Sequence, residues 1–353
     1  MIELFVPGRL CLFGEHSDWA GGYRRSHPEI APGRCLVAGT DQGLHAVAAP
    51  LDGFLEITSA LPDGSRVGPE RIALDALDTA AAGSGFFSYA AATLAELREC
   101  HPVGGLRLSV TSDLPVRKGL SSSAAICVLV ARAISRVYDL GLSIEAEMAV
   151  AYAGERRTGS QCGRMDQVCA FGRGPVAMQI DGDALAFDEI RPRRAFHLLI
   201  VDLGRGKDTR RILADLNACF PSEESPTAVG VREALGPRNL ATLAEAEALV
   251  RAGDARGLGE LMTRAQVHFD EWIAPASPEL AAPRLHRVLA HPSVAELGWG
   301  GKGVGSQGDG CGQIVARGPE ERDALASRLE AEFGVRGLPL TLEGDDPPPA
   351  TRA

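Results

Sequence analysis

Apolar and polar residues alternate one for one through Leu106-Arg107-Leu108-Ser109-Val110-Thr111, the period of a half-buried strand. Beyond it the period changes. Ile126 to Ile134 is an almost unbroken apolar run that predicts a buried helix over about 123–139. Apolar spacing predicts further helices over about 86–99 and 144–157, the second opened by Ser143 with Glu145 and Glu147 in its first turn. Strands are predicted at the N-terminus (Met1 to Pro7), at Leu36–Gly39, at Ala46–Ala48 and at Phe196–Asp202. The second half continues with an alanine-rich helical region from about 230 to 270 and a helix near 283–290. A glycine-rich loop at 298–312, a strand Gln313–Ala316 and a last helix near 319–333 complete it. No internal repeat is visible.

Before the Phe196 strand, Glu189-Ile190-Arg191-Pro192-Arg193-Arg194 is charged and carries a proline, which marks a candidate domain boundary. The 353 residues suffice for two domains of ordinary size, here expected at 1–190 and 195–344. The tail from 345 to 353, with Asp346-Pro347-Pro348-Pro349, is too proline-rich and polar to pack and is expected to be disordered.

Composition narrows the functional classes. Apolar residues at 45% and charged residues at 23% are those of a soluble globular chain. A net charge of −10 argues against nucleic acid or an anionic membrane as partner, so an anionic ligand has to be held by local cations and backbone dipoles. No apolar stretch reaches the ~18 residues of a membrane span. The start Met1-Ile2-Glu3-Leu4-Phe5-Val6-Pro7 has neither the basic region nor the cleavage site of a signal peptide. Eight scattered cysteines without a Cys-x-x-Cys pair read as reduced, mostly buried thiols, and a cytoplasmic location is expected.

Four segments carry candidate chemistry. In Leu114 to Ala125 a glycine, Gly119, and three hydroxyls, Ser121, Ser122 and Ser123, stand directly before the apolar helix. A helix N-terminus offers unpaired N–H groups and partial positive charge, so this run is a candidate phosphate cradle; an ordinary serine N-cap is its rival. Gly14-Glu15-His16-Ser17-Asp18-Trp19 delivers acceptors, a histidine and an aromatic residue within a short turn. That set suits a polyhydroxylated ligand, with a metal site or a solvated turn as alternatives. Asp166, in Cys162-Gly163-Arg164-Met165-Asp166-Gln167, is expected to be partly buried, either as a functional carboxylate or as a helix cap. Gly303-Val304-Gly305-Ser306-Gln307-Gly308 matches the dinucleotide fingerprint in form only, because a strand rather than a helix follows it. A loop beside a nucleotide or a flexible hairpin remain its two readings.

Taken in order, the segments resemble the three motifs of the GHMP kinases: Pro7 to Gly22 the first, Pro115 to Ala125 the second, Gly301 to Gly312 the third. Gly14-Glu15-His16-Ser17-Asp18-Trp19-Ala20-Gly21-Gly22 and Cys162-Gly163-Arg164-Met165-Asp166-Gln167 are similar to the galactokinase branch in particular. The resemblance implies an α+β fold of two domains, a ribosomal protein S5 domain 2-like N-terminal domain and a ferredoxin-like C-terminal domain. It implies an ATP-dependent sugar 1-kinase using Mg²⁺, monomeric or homodimeric. The alternatives are a mevalonate-kinase-like enzyme acting on an acyclic alcohol, or a non-catalytic sensor of ATP and sugar. By the same resemblance Asp166 is the catalytic aspartate with Arg9 close to it. Glu15, His16, Asp18 and Gly163 bind the sugar. Gly119, Leu120, Ser121, Ser122, Ser123 and Ala124 bind ATP, and Ser123 and Glu155 hold Mg²⁺. On this reading the helix start is capped and the cap is the binding site. Three departures stand out: Cys11 where galactokinases often have asparagine, a long link over residues 23–35 able to rebuild the sugar pocket, and Gln307 and Asp309 in the third motif. A carboxylate near phosphates is unfavourable unless it faces away.

Overall fold

The computed structural model describes residues 1–114, 119–206 and 208–345. Strand β1 (Ile2–Phe13) leads through a short helix α1 (Ser17–Gly22) to a long strand β2 (Gly33–Leu51), then to β3 (Phe54–Ala60) and β4 (Arg66–Ala73). Helices α2 (Leu77–Ala82) and α3 (Ser88–Cys100), strand β5 (Gly105–Ser112), and helices α4 (Ser122–Val137) and α5 (Ile144–Arg157) follow. After the 3₁₀ turn Asp166–Phe171 come β6 (Pro175–Asp181), β7 (Ala184–Glu189) and β8 (Phe196–Asp202). Helices α6 (Thr209–Cys219), α7 (Pro226–Leu235), α8 (Pro237–Ala252), α9 (Ala255–Trp272), α10 (Pro283–Leu289) and α11 (Pro292–Leu297) precede β9 (Gly298–Gly303) and β10 (Cys311–Ala316). Helix α12 (Pro319–Phe333) and β11 (Arg336–Leu342) end the fold.

Contacts divide the chain into two compact units, one of residues 1–9 and 39–173, the other of residues 10–38 and 174–345 among those described. Strand β7 pairs with β6 inside the second unit, so contacts draw the line near residue 173 rather than at the charged stretch 188–194. The prolines beyond Asp345 lie outside the described residues.

In the first unit, Leu44–Leu51 of β2 pair antiparallel with β5, β5 runs parallel to β3, and β3 pairs antiparallel with β4. Leu106, Leu108 and Val110 of β5 are buried while Arg107, Ser109 and Thr111 are exposed, as the alternation requires. Helix α4 is buried nearly all round, from Ala124 through Val128, Leu129 and Val130 to Ile134. Each of its buried Val, Leu and Ile side chains contributes roughly 1.5–3 kcal/mol of burial, which fixes the helix whose first turn carries the serines. Ser143 caps α5, its hydroxyl accepting from Ala146 N at 3.2 Å. Leu36–Gly39 and Ala46–Ala48, expected as two strands, are parts of one. The polar break Asp41-Gln42-Gly43 stays extended because Gly43 N donates to Asp113 Oδ1 at 2.6 Å.

In the second unit, Gly33–Ala38 of β2 pair with β6 and β6 with β7. A separate antiparallel sheet, four-stranded among the described residues, has the order β11-β8-β10-β9. With helices between β8 and β9 and between β10 and β11, this is the β-α-β-β-α-β arrangement of ferredoxin-like folds. Leu199, Val201, Leu285, Ile314, Leu325 and Leu329 form its core. The loop expected over 298–312 is a strand in its first six residues. Its glycines serve close packing rather than flexibility: a Cβ on Gly300 would lie 2.3 Å from Gly259 O in α9, and one on Gly259 would lie 2.6 Å from Trp299. Strands β3, β4, β6, β7 and β11 were not singled out by the sequence pattern; β4 and β7 are largely exposed edges with weak alternation.

Candidate active site

The first unit assembles the candidate phosphate and catalytic groups. Gly119 (φ +78°) and Ser121 (φ +56°) both take the left-handed conformation just before α4. This is a tight turn that glycine makes at little cost and serine only under constraint. The Ser121 hydroxyl makes no capping bond. The ordinary-cap expectation is therefore corrected: the backbone turns too sharply for the serine to reach back. Leu120 O accepts from Arg9 N at 3.0 Å, which ties the loop to β1. Pro115 to Lys118 of the same motif lie outside the described residues.

The Arg9 guanidinium donates to the Asp166 carboxylate, the two side chains being 6% and 23% exposed. Met165, not Asp166, stands at the cap position of the 3₁₀ turn 166–171, so the pairing with Arg9 replaces the cap reading. One residue on, Gln167 Nε2 donates to Glu155 Oε2 at 2.9 Å. Glu155 closes the last turn of α5 and is 2% exposed. Burial first, and the Asp166 charge second, push its carboxyl up to about 7, against hydrogen bonds from Ser123, Gln167 and Cys162. Ser123, Glu155 and Asp166 are thus neighbours. Arg132 holds the frame, donating to Glu147 Oε2 at 2.8 Å and Ala170 O at 2.6 Å.

A raised carboxyl makes a sign-definite prediction. Between about pH 4.5 and 7 the folded protein holds a proton on Glu155 that the unfolded chain has lost, so this group's contribution to stability falls as pH rises through that window. Glu155→Gln removes the dependence. Denaturant unfolding at pH 5 and pH 8 should show the wild type losing about 2.5 kcal/mol more than the variant. Equal losses would show that Glu155 ionises freely.

The second unit holds the other polar cluster. Gly14 (φ +92°) has no room for a Cβ, which would stand 2.3 Å from Arg34 O. Ser17 Oγ lies 2.7 Å from both Gly14 O and Arg34 O and shares its single hydrogen between them, so the turn is stitched to β2. Gly14→Ala should destabilise the protein by at least ~2 kcal/mol, read from the urea midpoint; an unshifted midpoint would mean that the turn is not held as described. Glu15, His16 and Asp18 are all buried, which overturns the solvated-turn reading. Trp19 Nε1 donates to His16 Nδ1 at 3.2 Å, which leaves the ring proton of the neutral form on Nε2. The His16 ring lies over Phe269, centroids 6.3 Å apart.

Lys302, not singled out from the sequence, is buried against Glu15, its ammonium donating to Oε1 and, at 3.0 Å, to Gly303 O. A carboxylate so engaged is a poor cation ligand, which disfavours the metal reading of Glu15, His16 and Asp18. Asp309 accepts from Arg284 N at 2.9 Å and Leu285 N at 3.0 Å, so it faces the start of α10 and the electrostatic objection to it lapses. The 23–35 link is folded rather than open. Tyr23 packs edge-on to Trp19 and Phe220 and donates to Asn217 Oδ1 at 2.7 Å, and Ile30 enters the core. Among the described residues no cysteine is joined in a disulfide; Cys11 is buried and donates weakly to Phe13 O. No helix among the described residues is long and apolar enough to cross a membrane.

The model of the GHMP kinases N terminal domain matches residues 88–174. A galactokinase of Mycobacterium bovis is 33% identical over 303 residues, covering 82% of this chain and 77% of its own. Among solved structures, an L. major mevalonate kinase in complex with R-mevalonate superposes with a TM-score of 0.73 at 18% identity, covering 98% of this chain and 97% of its own. A Lactococcus lactis galactokinase complexed with galactose gives 0.72 at 17%, covering 97% and 94%. Fold likeness at such identities does not separate the two activities. With the motifs, the fold and a galactokinase relative in agreement, the chain belongs to the GHMP kinase family, and so to the small-molecule kinases that use ATP.

Proposed function

We propose that the protein is a sugar 1-kinase of galactokinase type, transferring the γ-phosphoryl group of ATP to the anomeric hydroxyl of galactose or a related monosaccharide. The observation that carries this reading is the Arg9–Asp166 pair set one residue from the Gln167–Glu155 bond. Phosphoryl transfer asks mainly for positioning and charge stabilisation, together with a carboxylate that can take the acceptor's proton. The sugar preference is supported by the buried Glu15-His16-Ser17-Asp18 turn and by the galactokinase relative.

In this mechanism the ATP phosphates lie over Gly119 to Ala124 at the start of α4, where backbone N–H groups and the hydroxyls of Ser121 and Ser122 meet their charge. Ser123 and Glu155 fit a hard cation, since both present oxygen and Glu155 is a buried carboxylate with no cationic hydrogen-bond partner among the described residues. Mg²⁺ bound there would neutralise charge on the phosphates. Asp166 accepts the proton of the sugar hydroxyl as its oxygen attacks the γ-phosphorus and ADP leaves. Arg9 holds the Asp166 carboxylate in place and offers positive charge to the reacting groups. Glu15, His16, Asp18 and Gly163 position the sugar, with His16 Nε2 as donor and Asp18 as acceptor of hydroxyl hydrogens. The protein is expected to act in the cytoplasm.

An ADP-release assay over a panel of monosaccharides and mevalonate tests the proposal. ADP released with a free sugar supports it. Release with mevalonate alone, or sugar binding without turnover, would replace it with an acyclic-alcohol kinase or with a sensor.

A further inference from the structure

Gln167 is buried at 1% exposure, yet only one end of its amide is used. Nε2 donates to Glu155 Oε2, while Oε1 is enclosed and meets no hydrogen-bond donor among the described residues. With Glu155 ionised, as it must be to hold a cation, the reverse orientation of the amide would set its oxygen against the carboxylate, two acceptors facing each other, so in that state the network fixes which end points where. A buried carbonyl oxygen without a donor is unusual in a well-packed interior and calls for a partner that the described residues do not supply.

Its position suggests that partner. Gln167 directly follows Asp166, and through Glu155 it stands one hydrogen bond from the proposed cation ligand. Mg²⁺ sheds its hydration shell reluctantly, and the waters it keeps present hydrogens outward, to acceptors. Groups behind metal ligands orient them and tune affinity.

Resting on the kinase reading above, we propose that Gln167 is a positioning residue of the cation site. Its NH₂ group pins Glu155, and its Oε1 accepts a hydrogen bond from the hydration shell of the bound cation. The turn carrying Asp166 is thereby tied to the cation site, so that base and metal ligand are set by one side chain.

The test is calorimetric titration of Mg²⁺ into the full-length protein mixed with a non-hydrolysable ATP analogue. Gln167→Met keeps the length and removes both polar ends. It should raise the half-saturating Mg²⁺ concentration 10–100-fold while metal-free binding of the analogue stays within about twofold. A merely structural role would lower thermal stability and leave the Mg²⁺ midpoint where it was. Should the Met variant not fold, Gln167→Asn keeps the amide but shortens its reach, and the same rise is expected. A wild-type Mg²⁺ midpoint in a folded variant overturns the assignment of Gln167 alone. A wild-type protein that binds neither nucleotide nor Mg²⁺ overturns the kinase reading, and this assignment with it.

Discussion

Asp166→Asn lowers kcat by about 10²–10⁴-fold, the usual contribution of a positioned base, while the affinity for ATP stays near that of the wild type. The expectation rests on geometry: Asp166 is partly exposed, held from one side by Arg9, and does not serve as a helix cap. Asparagine keeps an oxygen for Arg9 but cannot take a proton. The fold should survive, since Arg9 retains a hydrogen bond, although a neutral partner weakens a buried cation's environment. Circular dichroism and unfolding controls separate a dead enzyme from an unfolded one. A folded Asp166→Asn protein with near-normal turnover would remove Asp166 from the role of base.

Lys302→Met has the largest expected effect on stability. Lys302 and Glu15 are 2% and 6% exposed, and removing one partner leaves the other as an uncompensated buried charge, a loss of about 3–5 kcal/mol. Glu15→Gln in the same protein relieves it, so the double variant should recover most of that loss. Urea denaturation of the four proteins of the cycle measures the coupling. If Lys302→Met unfolds at the wild-type midpoint, the pair does not hold Glu15 in its buried place.

The helices were the most legible part of the sequence. Ile144–Arg157 and Pro319–Phe333 match their expected spans because each begins with a clear start signal, Ser143 in one and Pro319 in the other. The glycines at 298–303 misled, since a strand packed against Gly259 needs them as much as a loop would. Asp166 and the serines at the start of α4 stand out as candidates by their own residue types, whereas Glu155 is named only through the family resemblance. The candidate site was not legible where a long-range partner decides the role. Lys302 stands 287 residues from Glu15, and nothing local marks it as a buried ammonium. Gln167 is hidden for a similar reason, because its meaning depends on Glu155 twelve residues earlier on another element. Asp309, suspect as a carboxylate near phosphates, proves to cap α10, which only the fold reveals.

The central claim is that the phosphoryl group reaches an anomeric oxygen. Incubating the protein with ATP, Mg²⁺ and galactose, and recording the ³¹P spectrum of the products, tests it most directly. ADP is expected together with a new phosphomonoester whose phosphorus couples to the anomeric proton. A phosphomonoester coupled to any other position, or no new phosphomonoester with any monosaccharide of the panel, would contradict it.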